Sequence, residues 1–425
     1  MKLMLLVIAL SLNFLRADPD PAVRMLIKAA RLGDLKAAET LLSIGVNPNA
    51  PNQQGLTPLC YTALFDHIDV AALLLAHHAD PNGRARSGTS DDEFPQTPLQ
   101  IAASIGNLRM ASLLIAAGAR PDAEAKAGRT ALHFAVAGSH LDMVQYLIEK
   151  GAGVNVRDLD GTSPLDEAVW RGQLGATAIL LADGASLNEA ETKTGATPIN
   201  EAAYRGQTQI VRYLLRFSPD LKVADKRGHA PLQNAISMGN QDAAVSLLEA
   251  QATEQESPEY LGKLMSDAIG KDESAVTEIL LRRGAKPDTL LPSGATLLDT
   301  AVLSNASKAV QVFLNRGADP NKAGPNGTSP LEDACLRGLP SIAEALLDHG
   351  ALVNQVNSGS GTTALYAAAS FGKGDVVTLL LQRGADVNLC GNGRTTPYKA
   401  ALENGYTAIA AQIQRHGGSK TCKPQ

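Results

Sequence analysis

Aromatic residues are scarce in this chain: 4% of its 425 positions are Phe, Trp or Tyr, and Trp occurs once. A single large core fills its centre with bulky rings, so a thin, layered core of Ala and Leu is the better expectation. Cysteine is sparse too, and Cys60, Cys335, Cys390 and Cys422 show no CxxC spacing. Neither a zinc site nor a disulfide framework is indicated. Basic residues are not in excess: 38 Lys and Arg face 43 Asp and Glu, for a net charge of -5. A general phosphate-binding surface needs the opposite balance, which argues against a nucleic-acid partner. No GxSxG, Walker-type loop or HExxH occurs, so no catalytic residue and no cofactor are assigned. His77 and His78 adjoin Asp80, but neighbours on a helix point about 100° apart and no second cluster exists, so a solvent-facing helix end is expected rather than a metal site.

What is present begins with Lys2, an apolar run from Leu3 to Leu15 broken only by Ser11 and Asn13, and then Arg16, Ala17 and Asp18. That pattern reads as a signal peptide over residues 1–17, too short for a permanent membrane span, with Ala17 as the small residue before the cut. The alternative is an apolar helix that caps the start of the folded region. Export, to a periplasm or the exterior, is the expectation if the leader is genuine, and a cytoplasmic chain otherwise.

From there one small-residue position recurs: Ala29, Thr62, Ala102, Ala135, Ala168, Ala202, Ala235, Ala268, Ala301, Ala334, Ala368 and Ala401. Successive members stand 33 or 34 residues apart, with a single step of 40. Twelve residues after each comes an apolar residue, usually opening a pair such as Leu74-Leu75, Leu147-Ile148 or Leu380-Leu381. Four residues after each comes Gly33, Gly106, Gly172, Gly206, Gly239, Gly338, Gly372 or Gly405, with Asp66, Ser139, Asp272 and Asn305 in the other units. Most of these tolerate the left-handed conformation that ends a helix, and Ser139 has Gly138 beside it. Six first helices open with Thr-Pro or Ser-Pro, at 57–58, 97–98, 163–164, 197–198, 329–330 and 396–397, where the hydroxyl can cap and Pro costs no donor. Each unit is thus helix, turn, helix, and the fold class expected is all-α.

These units resemble ankyrin repeats, most closely at Gly128-Arg129-Thr130-Ala131-Leu132-His133-Phe134-Ala135 and Gly384-Ala385-Asp386-Val387-Asn388. The resemblance covers about residues 20 to 418. It implies close helix contact along the Ala positions, a core filled by the Leu pair, Asn in the turn, and His133 engaged in local hydrogen bonding. One unit cannot bury its apolar face alone, so neighbours must stack into a solenoid. The expected organisation is repeats 1–7 over 18–257, repeats 8–12 continuing over 258–420, and a tail over 421–425. A seven-residue insertion enlarges the loop at 83–95, and unit eight lacks the Gly and Thr-Pro of its turn, reading as a bend or soft joint. Cys390 and Cys422 fall near equivalent points of adjacent repeats, where a bridge is geometrically conceivable, yet two free thiols are the expectation.

The family binds proteins on a concave face, through hairpin tips and the two variable residues before the turn glycine. At that register stand Trp170-Arg171 and Tyr204-Arg205, one repeat apart, and residues of these types dominate interface hot spots. Lys226, Arg227 and His229 occupy the next hairpin tip, and Met238 the same register one repeat further on. The partner expected is a protein or peptide with an acidic contact surface, bound by a monomeric chain with no integral membrane span. An accessory or inhibitory subunit of an enzyme and a small-molecule binder are the alternatives.

Overall fold

The structure, a computed structural model, describes residues 21–52, 55–83, 97–125, 127–251, 258–291, 293–390 and 395–422. The leader at 1–17 and all but Gly83 of the enlarged loop lie outside the described residues. Among those described, twenty-four helices follow one another in twelve pairs. Strand pairing is limited to two isolated antiparallel bridges, Leu290 with Thr296 and Val356 with Thr363. The fold is all-α.

Two compact units divide the chain, Met1–Pro231 and Leu232–Gln425. The first holds six helix pairs, from Pro21–Leu32 with Leu35–Ser43 to Pro198–Tyr204 with Thr208–Leu215. The second begins one residue into the helix Pro231–Ser237 and runs to Pro397–Glu403 with Thr407–Arg415. Repeats are numbered 1 to 12 accordingly.

Local chemistry sets the helix ends. Proline takes the first turn in the six helices starting at Pro58, Pro98, Pro164, Pro198, Pro330 and Pro397. Ahead of it a hydroxyl caps: the Gln100 N–H donates to Thr97 Oγ1 at 3.2 Å and Gln100 Oε1 accepts the Thr97 N–H at 3.0 Å. Such reciprocal capping satisfies two amides that the helix cannot. At the far end the four non-glycine turn residues, Asp66, Ser139, Asp272 and Asn305, take φ between 53° and 60°. Ser139 itself carries the left-handed turn, while its neighbour Gly138 stays right-handed at φ -82°. The helix period, not residue preference, chooses the site. Gly138 is needed for space instead, since a Cβ there would lie 2.4 Å from the His140 ring.

Packing follows the small-residue positions, every one of which is buried. The first residue of the apolar pair, among them Leu74, Leu147, Leu214, Phe313 and Leu380, is also buried, whereas Leu75, Ile148, Leu215 and Leu381 are only half-buried. Repeat 8 departs as its sequence implies. With no turn signal ahead of it, its first helix, Pro258–Gly270, extends to 13 residues.

Hydrogen bonds join successive hairpins inside each unit. In the first, Asn82 Oδ1 accepts the Arg120 N–H at 2.8 Å while its amide donates to the Gly118 carbonyl at 3.0 Å. Asn49, Asn155 and Asn188 accept at the same place, and Asp122 substitutes by accepting the Gly153 N–H. In the second unit Asn321, Asn354 and Asn388 repeat the bond to Leu352, Asp386 and Ser419. The turn asparagine is therefore a stitch between repeats, satisfying amides that would otherwise be stranded.

One expectation is corrected. Cys390 and Cys422 are joined by a disulfide, with Cα atoms 5.6 Å apart. Stacking places equivalent points of neighbouring hairpins at bridging distance, and sequence spacing alone undervalued that closeness. Cys60 and Cys335 are free and buried, and burial pushes both thiols upward in pKa.

Candidate interaction surface

Trp170 is the last residue of the helix Pro164–Trp170 and Tyr204 the last of Pro198–Tyr204, so both stand where a first helix gives way to its turn. Trp170 is 50% exposed. The guanidinium of Arg171 lies 5.4 Å from its ring centroid and that of Arg205, from the next repeat, 4.8 Å away. Arg227 sits over the Tyr204 ring at 4.4 Å. Ring contacts thereby gather Trp170, Arg171 and Arg205 in one cluster and Tyr204 and Arg227 in a second, with Tyr204 and Arg205 consecutive in the chain. Cation–ring contacts hold flat, partly apolar groups in fixed orientation at the surface.

Each arginine also meets an acid of the chain. Arg171 Nε donates to Glu167 at 2.5 Å, Arg205 pairs with Glu201, and Arg227 reaches Asp225 at 2.7 Å. Glu167 takes a second cation, Arg129, at 3.2 Å. Asp225 is buried and accepts the N–H groups of Arg227 and His229 as well, which fixes this hairpin tip. Its hydrogen bonds push the Arg227 pKa above an already high value. Lys226 donates its ammonium to the Thr192 carbonyl at 2.6 Å. The arginines of this stretch are thus each paired with an acid of the chain. Arg129, Glu167, Glu201 and Asp225 were missed, although Glu167-Arg171 and Glu201-Arg205 carry the i, i+4 spacing that announces such pairs on a helix. His229 is half-buried behind Asp225. Met238, 47% exposed, belongs to the second unit.

Beneath this surface another register links the repeats, two residues before each buried small residue. Gln100 donates to the Ala123 carbonyl at 2.6 Å and Asn200 to Val223 at 2.8 Å. His133 holds Thr130 with Nδ1 and the Thr162 carbonyl with Nε2 at 3.1 Å, and its burial lowers its pKa to about 4. Local hydrogen bonding is what the sequence resemblance implied for it. Asp166 has no proton to give, and Arg157 supplies one, bonding both the Gly161 carbonyl and the Asp166 carboxylate.

The model of the family described as ankyrin repeats (3 copies) matches residues 11–85, 83–158, 99–191, 165–256, 264–357 and 352–423. The chain belongs to the ankyrin-repeat family. An ankyrin repeat and KH domain-containing protein of Caenorhabditis briggsae is 31% identical over 142 residues, which span 33% of this chain but 5% of that protein. The probable 26S proteasome regulatory subunit p28 of Saccharomyces cerevisiae is 28% identical over 222 residues, 51% of this chain and 79% of that protein. The potassium channel AKT1 of Arabidopsis thaliana is 30% identical over 185 residues, 37% of this chain and 21% of that protein. The chain thus spans a small part of the first of these relatives and most of the second. Ankyrin repeats indicate a protein-protein interaction scaffold. Among the described residues no helix is long and apolar enough to cross a membrane, and no group of three or more His, Cys, Asp or Glu is arranged to hold a metal.

Proposed function

We propose that this ankyrin-repeat chain binds a protein or peptide across the concave face of repeats 5 and 6. Trp170, Arg171, Tyr204 and Arg205 form the centre of the contact, Lys226, Arg227 and His229 its margin, and Met238 a separate contact in the second unit. The observation that carries this reading is the half-exposed Trp170, held between two guanidinium groups although the core does not need it. Such a ring is pre-ordered, so little side-chain entropy is lost when a partner covers it. An acidic partner competes with Glu167, Glu201 and Asp225 for the same cations, so charge contributes less to affinity than the rings do.

Crosslinking in the native setting identifies the partner, and the purified pair then tests the surface. Replacing Trp170 and Tyr204 together with Ala is expected to weaken binding by about 2 kcal/mol, roughly thirtyfold, with the melting temperature unchanged. Unfolding of repeats 5 and 6 with affinity intact would show the rings to be packing residues.

A second reading, an accessory subunit acting on an enzyme assembly, is favoured by the yeast relative, a probable 26S proteasome regulatory subunit whose match covers half of this chain. We also propose export. The Cys390–Cys422 disulfide supports it, since such bonds persist in oxidising compartments. Mass spectrometry of the native protein should show a first residue near Asp18, and a retained Met1 on exported material would sink the cleavage claim.

A further inference from the structure

We propose that a cavity in the second unit receives the cationic side chain of a lysine or arginine presented by a protein partner, an inference that rests on the protein-binding reading above. The cavity encloses about 450 Å³. Leu291, Ser293 and Ala295 of one hairpin and Gly324, Pro325 and Thr328 of the next line it, together with the helix Leu297–Leu303 and Asp333 of the following repeat. That volume lies in the range that seats one polar group and its apolar stem.

The chemistry comes from an incomplete hydrogen-bond set. Asp299 stands at the register where Gln100, His133 and Asn200 donate to a neighbouring hairpin, and a carboxylate cannot donate. It is 1% exposed. Its Oδ2 accepts the Thr296 N–H at 3.1 Å, while Oδ1 has no partner. Asp166 at the same register is met by Arg157, but nine residues before Asp299 stands Leu290, which offers no cation. Asp333 adds a second negative charge, its Oδ2 taking the Thr328 hydroxyl at 3.2 Å. The cations with influence here are Lys322, whose ammonium donates to the Asp288 carbonyl at 3.1 Å, and Arg337. Among the described residues neither carboxylate has a cation in ion-pair contact, and burial pushes both upward in pKa, so a cation entering from a partner restores their charged form.

Three features favour a side chain over a metal ion. Two carboxylates without a third His, Cys, Asp or Glu make a poor metal cage. Leu291, Leu303 and Pro325 provide apolar wall for a methylene stem. Hydroxyls of Thr300 and Thr328 stand by for the remaining N–H groups of a guanidinium.

The test uses the full-length protein and the peptide acetyl-Gly-Arg-Gly-amide, with its neutral citrulline analogue as control, followed by amide chemical shifts. The arginine peptide should shift Thr300, Leu303, Gly324 and Thr328 saturably. The citrulline peptide should not. Asp299→Asn and Asp333→Asn should each weaken the arginine peptide about tenfold. Asp333→Asn is the safeguard, because Ser329 and not Asp333 caps the helix, and the substitution should leave the fold intact by circular dichroism. No shift up to the solubility of the peptide, an equal response to citrulline, or displacement of the peptide by calcium alone would each overturn the proposal. A partner that binds through Trp170 while the peptide fails removes only this cavity. A peptide that binds while the Trp170 and Tyr204 substitutions leave partner affinity unchanged removes only the reading of the first unit.

Discussion

Gln100, His133 and Asn200 in the first unit and Asp299 and Glu332 in the second occupy one register of the same repeat, and they do opposite things. The first three give a proton to the neighbouring hairpin. Glu332 instead accepts from Asn357 at 3.1 Å and from the Thr362 hydroxyl, and Asp299 keeps one oxygen unserved. A second register shows the same contrast. His140 bonds the Ser104 carbonyl and Gln173 donates to the Ser139 hydroxyl, whereas Glu273, 3% exposed, has neither carboxylate oxygen partnered and is pushed by burial to about 7. The repeat fixes size and place at these positions but leaves the direction of the hydrogen bond free. Where a donor stands, the stack closes on itself; where an acceptor stands, the donor must come from another residue, as Arg157 serves Asp166 and Asn357 serves Glu332, and for Asp299 Oδ1 none does.

The strongest way to break this contrast is to ask whether the units are energetically separate at all. Ala202 is fully buried between the helices of repeat 6. Ala202→Trp should cost about 3 kcal/mol or more by overpacking, because neighbouring repeats cannot move apart without losing their own contacts. Hydrogen exchange should rise first in repeats 5 to 7 and stay slow in the later repeats of the second unit. Uniform loss of protection would mean one cooperative body and make the comparison meaningless.

Next comes the brace that the second unit alone possesses. The bond between Cys390 and Cys422 closes a loop at a sequence separation of 32, worth about 4 kcal/mol in chain entropy. Cys422→Ser should therefore speed exchange in Thr407–Arg415 while leaving repeat 1, at the other terminus, as it was. Identical exchange with and without reductant would show that the last repeat holds by packing alone.

The smallest effects sharpen the chemistry. His133 titrates near 4 when folded against 6.5 in the open chain, so the unfolded chain takes the proton first. Its share of stability, at most about 3 kcal/mol, is present above pH 6.5 and lost as pH falls toward 4. Glu273 runs the other way: with a folded value of about 7 against 4.5, the folded chain keeps the proton. Its contribution is full below pH 4.5 and lost as pH rises through 7. Between pH 7 and pH 5 the helix Ala131–Ala137 should loosen while Ser274–Arg282 tightens, read by exchange corrected for intrinsic rate. Glu273→Gln should flatten the second response and stabilise repeat 8 by about 1 kcal/mol at pH 8.

Backbone architecture was readable because it is over-determined: the Ala step, the Leu pair, the turn glycine and the Thr-Pro opening all mark the same helix ends. Even Asp66, Asp272 and Asn305 were identified as turn residues by phase, and only the division of labour between Gly138 and Ser139 needed the structure. Side-chain contacts across repeats were not readable, because a partner 23 to 38 residues away leaves no local pattern. The ring contacts of Arg205 and Arg227, the Arg129–Glu167 pair and the Cys390–Cys422 bond are all of this kind. Trp170 stands out in the sequence because the repeat does not call for a large ring at a turn register; Asp299 does not, because a missing donor is visible only beside the donors that neighbouring repeats do have.

The asparagine stitches have an evolutionary consequence. Asn82 bonds Gly118 and Arg120 of the next hairpin, and the enlarged loop at 83–95 begins one residue later. New sequence entering just after such a residue leaves the pairing of neighbours untouched, so those points are natural insertion ports. A repeat array of this design can acquire or shed loops there, one at a time, without renegotiating its fold.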